Sequence, residues 1–86
     1  MYKAHIVVTL RPSILDPQGK ATQHALHSIG HGSVEQVRIG KFIEMWIDAE
    51  SEQEAREAAE EACRRVLANP VMEDFRIEVE RVAEEA

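Results

Sequence analysis

Three histidines have the most suggestive spacing in the chain. His24, His27 and His31 stand at i, i+3 and i+7, which brings side chains to one face of a helix. Imidazole is a common ligand for zinc, nickel and cobalt. No carboxylate or thiolate falls among the three, Lys20 shares their face and repels a cation, and His31 lies beyond Gly30, where helical phase ends. The group therefore reads as a solvated or partner-facing polar stripe, and no metal site is expected. His5 falls on the outer face of a strand pattern and is assigned no role.

The other reactive types are no more convergent. Cys63 is the only cysteine, so no internal disulfide can form. It belongs to an apolar stripe with Ala55, Ala58, Ala59, Ala62, Val66 and Leu67, where packing explains it better than nucleophilic chemistry. Gly30-His31-Gly32-Ser33 has two glycines in four residues, but phosphate loops need more glycines at fixed spacing, so it reads as a turn. The glutamates of residues 52–61 form a solvated helix face. The expected catalytic, cofactor-binding and metal-ligating residues in this chain are therefore none.

Composition fits that reading. The chain has 86 residues, read as a single domain over 1–86, with 44% hydrophobic and 30% charged residues. A formal net charge of −6 disfavours nucleic acid and anionic membranes as partners. No run approaches the roughly 20 apolar residues of a membrane span. MYKAHIVVTL is a strand pattern without the cleavage site of a signal peptide. A reducing cytoplasm is the expected compartment.

The elements that must position these residues follow from periodicity. Tyr2, Ala4, Ile6, Val8 and Leu10 alternate with Lys3, His5, Val7 and Thr9, giving a half-buried strand that Arg11-Pro12 ends. Asp16 and Pro17 open a helix as N-cap and first residue. Gly30 closes it, with Ala21, Ala25 and Ile29 as the expected buried stripe. Val34–Asp48 keeps one parity through Val37, Ile39, Ile43, Met45 and Ile47, broken only by Lys41. It reads as one long strand bent or bulged at Gly40. Ser51 and Glu54 form a capping box for a second helix, which Asn69-Pro70 ends. Phe75, Ile77 and Val79 give the last strand.

The expected fold class is α+β. It is a two-layer β-α-β-α-β sandwich, ferredoxin-like in relation, with both helices on one face of an antiparallel or mixed sheet. Fifteen strand residues exceed what a small sheet needs, so the long central strand is expected to be shared in a dimer. Val7, Phe42, Trp46 and Val82 fall on the outer side of the sheet, and exposed apolar groups there mark a homo-oligomer interface.

Four segments carry a resemblance. LDPQGKA (15–21), HALHSIG (24–30), VRIGKFIE (37–44) and LANPVMEDF (67–75) resemble, in order and spacing, the PurS family, the small subunit of phosphoribosylformylglycinamidine synthase. Departures are mild: Pro12-Ser13 and Met72. The resemblance implies a non-catalytic subunit of purine biosynthesis, acting as a homodimer or higher homo-oligomer. It would bridge a glutaminase subunit and a large synthetase subunit that uses Mg-ATP. It also places partner contacts at Asp16, Lys20, His24, Arg38, Lys41 and Asn69, although Asp16 as an N-cap and Asn69 in a helix stop have sufficient local explanations. Without the resemblance, a dimeric ligand-sensing module of similar fold fits the residues too. A metallochaperone would require paired cysteines.

Overall fold

In a computed structural model, described over residues 1–83, the element order is β-α-β-α-β. The central strand β1, Tyr2–Leu10, is flanked by β2, Lys41–Ile47, and β3, Glu73–Arg81, both antiparallel to it. Register aligns the apolar parity of all three. Ile6 stands between Ile43 and Ile77, and Ala4 between Met45 and Val79. One face of the sheet is therefore continuous hydrocarbon.

Helix α2, Glu52–Ala62, closes on that face. Ser51 Oγ accepts from the Glu54 amide at 3.1 Å, satisfying one of the orphan donors of the first turn. Ala55 and Ala59, both buried, leave no bulk between helix and strand, so Ile6, Val8 and Cys63 are fully enclosed. Cys63 is a packing residue, and burial pushes its thiol pKa up, away from nucleophilic use.

The helix then widens into a π turn, Cys63–Leu67, where the Ala68 amide bonds the Cys63 carbonyl. The extra residue in that turn rotates the side chains beyond it. Leu67 and Ala68 face the core, while Val66, expected in the buried stripe, is 79% exposed. Ala58 is likewise exposed.

Helix α1, Pro17–Ser28, has the predicted ends. Asp16 Oδ1 accepts from the Gly19 amide at 3.0 Å. At the other end Gly30, with φ of 101°, supplies the left-handed residue of a Schellman motif: its amide bonds the His27 carbonyl, and that of His31 bonds the Leu26 carbonyl.

Two expectations fail around this helix. Ala21, Ala25 and Ile29 are exposed, Ile29 by 71%, because α1 has no substantial packing contact with the sheet. The long strand is also interrupted. Its ladder starts at Lys41, and residues 34–40 leave the sheet. Gly40 marks the departure, since a Cβ there would lie 2.3 Å from the Val8 carbonyl oxygen. The 34–40 strip runs beside α1 instead, and the molecule is elongated, 50 × 30 × 16 Å.

Gly19 is where helix and strip meet most closely, as a Cβ there would stand 2.1 Å from the Val37 carbonyl oxygen. Alanine is the better helix former by up to ~1 kcal/mol. Even so, Gly19→Ala is expected to destabilise the protein by ~1–3 kcal/mol through overpacking. Urea denaturation checks this, and unchanged or raised stability would contradict the close approach.

Candidate functional site

Asp16 is the centre of the polar organisation around α1. One carboxylate oxygen caps Gly19, and the other accepts from the Ile39 amide at 2.8 Å, twenty-three residues on. The Ile39 bond, then the Gly19 bond, hold its carboxyl below the usual carboxylate range, with the Arg38 guanidinium adding to them. Gln23 Nε2 donates to the Glu35 carbonyl at 2.9 Å, and His27 Nε2 stands 2.7 Å from that of Val34. Helix and strip thus form one unit, an arm beside the sheet.

The six expected contact residues divide by position. Asp16, Lys20 and Arg38 line one cleft together with Ser13, Glu35 and Gln36. His24 lies one turn from Lys20, in the adjoining groove with Leu15 and Pro17. Lys41 shares a third groove with Asp16, Ile39 and Gly40, and its ammonium reaches the Leu67 carbonyl at 3.3 Å. The Arg38 guanidinium donates to the Leu10 carbonyl.

Asn69 stands apart. Its Oδ1 accepts from the Val71 amide at 2.9 Å, its carbonyl accepts from Met72 and Glu73, and its amide donates to the Glu73 carboxylate at 2.7 Å. Asn69 organises the turn into β3. Glu35 and Gln36 were missed by sequence reasoning, because nothing in a surface glutamate or glutamine signals a cleft wall.

The histidine stripe splits in the same way. At 100° per residue, Lys20, His24 and His27 occupy one flank of α1, and Ala25 and Ile29 the opposite one. His27 is engaged with the strip, His24 is exposed, and no group of three potential metal ligands occurs among the described residues.

The outer sheet face carries Phe42 and Trp46, 61% and 60% exposed, with Val7 half-buried opposite Phe42. His5 stacks on Phe42 at 6.0 Å between ring centroids, and the Lys3 ammonium sits 4.8 Å from the Trp46 ring centroid. Lys3 also pairs with Glu44 at 2.7 Å and His5 with Glu80 at 3.3 Å. Val82, just past β3, is half-buried, and its amide donates to the Met1 carbonyl at 3.0 Å.

Neither surface brings a nucleophile, base and orienting group within reach of each other. Fold and surfaces together define a small α+β subunit that works by contact with other chains. The chain belongs to the PurS family of phosphoribosylformylglycinamidine (FGAM) synthase, whose family model matches residues 3–81. The synthase subunit PurS of Bacillus subtilis is 49% identical, over 95% of this chain and 96% of that one. Its counterpart in Methanocaldococcus jannaschii is 38% identical, over 95% and 99%. Among solved structures, B. subtilis PurS superposes with a TM-score of 0.86 at 48% identity, covering 94% of this chain and all of that one. PurS in PurLQS from Thermotoga maritima gives 0.84 at 31% identity, covering 91% and 95%.

Because its folded-state pKa is lowered, the stability Asp16 contributes is complete above the ordinary aspartate value and lost as pH falls through the lowered one. Asp16→Asn keeps a cap acceptor but removes the charge and points an amide at one of the two N–H donors. The variant is expected to be less stable at neutral pH and to show a shallower loss of stability below about pH 4. Thermal melts across pH check it; parallel curves for variant and parent would contradict the assignment.

Proposed function

We propose that this chain is the non-catalytic bridging subunit of FGAM synthase. The match to PurS over residues 3–81 carries the reading. The reaction converts formylglycinamide ribonucleotide, glutamine and ATP to FGAM, glutamate, ADP and phosphate. In this reading a glutaminase subunit releases ammonia, and a synthetase subunit holding Mg-ATP activates the amide oxygen that ammonia displaces. The T. maritima structure, named as PurLQS, supports an assembly of three kinds of subunit.

The physical task of such a subunit is proximity. Ammonia made at one active site must reach another before it escapes or is protonated, and docking the two chains shortens that path and excludes water. Lys20 and His24, exposed on the polar flank of α1, are the contacts offered to a hetero-partner, while Asp16 acts by holding the arm in shape. Arg38, tied to the Leu10 carbonyl at the end of β1, and Lys41, tied to the Leu67 carbonyl of the π turn, set the angle of that arm. No helix among the described residues is long and apolar enough to cross a membrane, and the cytoplasm is the compartment this function requires.

Affinity capture from native extract, with and without glutamine and Mg-ADP, tests the reading. Recovery of a glutaminase and an ATP-dependent synthetase supports it; recovery of this chain alone under every condition contradicts it. Lys20→Glu combined with His24→Glu is expected to weaken capture by about tenfold or more, since like-charge contacts cost several kcal/mol. Undiminished capture would move the contact elsewhere.

A further inference from the structure

Three cross-strand rows lie on the outer face of the sheet. Register sets Trp46, Lys3 and Glu80 in one row, then Glu44, His5 and Glu78, then Phe42, Val7 and Arg76. α2 packs on the other face, against Ile6 and Val8, and α1 makes no substantial contact with the sheet.

The first row already holds a cation. The Lys3 ammonium lies 4.8 Å from the Trp46 ring centroid and 2.7 Å from the Glu44 carboxylate. Its side chain is only 20% exposed. An aromatic ring and a carboxylate on this face thus hold one ammonium largely out of water.

The other half of the face repeats the combination without a Lys or Arg seated in it. Val7, Phe42, Glu78 and Glu80 line a groove of about 510 Å³. His5 lies beside it, its ring 6.0 Å from that of Phe42 and its Nε2 3.3 Å from the Glu80 carboxylate. Arg76 is the one Lys or Arg in the lining, and it stands within ion-pair distance of neither carboxylate. Glu78 forms no ion pair among the described residues.

Charge selects what can cover this face. Its outward side chains include four carboxylates, Glu44, Asp74, Glu78 and Glu80, against two cations, Lys3 and Arg76. Two copies packed face to face would set eight carboxylates against four cations, which opposes a second copy. Anionic membranes and nucleic acids are opposed in the same way. Phe42 and Trp46, 61% and 60% exposed, add apolar area that a small free cation could not cover. A protein surface with a basic side chain set among apolar ones meets both requirements.

We infer that the outer-face groove receives an arginine or lysine side chain of a different protein chain. Its stem lies along Val7 and Phe42, and its charged head meets Glu78 and Glu80. That chain takes the place of the second copy expected there from the sequence. The inference rests on the bridging reading, because a bridge needs two contact surfaces. The polar flank of α1 is one and the outer sheet face is the other, with no residue in common.

The test titrates the full chain with purified glutaminase and, separately, purified synthetase, with glutamine and Mg-ADP present. Glu78→Lys combined with Glu80→Lys is expected to lose about tenfold or more in affinity for one subunit and to keep the other. Its circular dichroism and its mass by light scattering should not change. Glu78→Gln with Glu80→Gln, which removes the charges without reversing them, should give a smaller loss toward the same subunit. Parent affinity for that subunit should fall as salt rises, and less steeply in the glutamine variant.

Unchanged affinity of both variants for both subunits overturns the groove and leaves the bridging function standing. Equal loss toward both subunits overturns the division into two surfaces. A changed mass by light scattering gives the face to a second copy and overturns the inference as well. If neither subunit binds the parent chain, the bridging reading falls and the inference falls with it.

Discussion

A single helix cannot cover this sheet. With side chains a helix is about 10–12 Å across, while three strands about 4.8 Å apart carry side chains over a wider span. α2, with alanines at its contact positions, sinks close onto β1 and β3 and encloses a core around Ile6 and Val8. The closeness that seals this core limits its breadth. β2 is left thinly covered, and α1 lies outside with the strip that Asp16 ties to it. Half-buried isoleucines on the sheet and exposed alanines on the helix are two sides of one shortage, and a second chain is the economical way to meet it.

Local grammar was the legible part of the fold. Asp16-Pro17, Ser51 with Glu54, and Gly30 each act within three or four residues, and each behaves as its type dictates. β1 and β3 were equally plain, because alternation reports directly on a one-sided strand. Val34–Asp48 shows the boundary of that signal. Its parity describes a face, and a face does not reveal whether a neighbouring strand belongs to the same chain. The ladder accordingly stops at Gly40 while the parity continues to Val37. Val66 went astray for another reason, since a π turn inserts one residue into the helical phase and leaves no mark in composition.

The site was less legible. Lys20 and Arg38 were picked out by resemblance, and the cleft that joins them depends on the Asp16–Ile39 bond across twenty-three positions. Asp16 looked complete as a cap, and nothing local announces its second oxygen. Gly19 posed the reverse problem: weak helix former and close-approach glycine look identical until the Val37 carbonyl is seen against it. The outer-face aromatics were legible as exposed apolar groups, but the His5 and Lys3 side chains over them were not.

An assembly subunit is thus built from ordinary parts with a surplus of uncovered surface: an open strand edge and an uncovered helix flank. The most direct test of its role is the rate of FGAM formation by purified glutaminase and synthetase, with glutamine or with ammonium salt as nitrogen source, before and after this chain is added. Glutamine-dependent synthesis should require the chain, whereas ammonia-dependent synthesis should proceed without it. Full glutamine-dependent activity in its absence, or loss of both activities together, would contradict a bridging function.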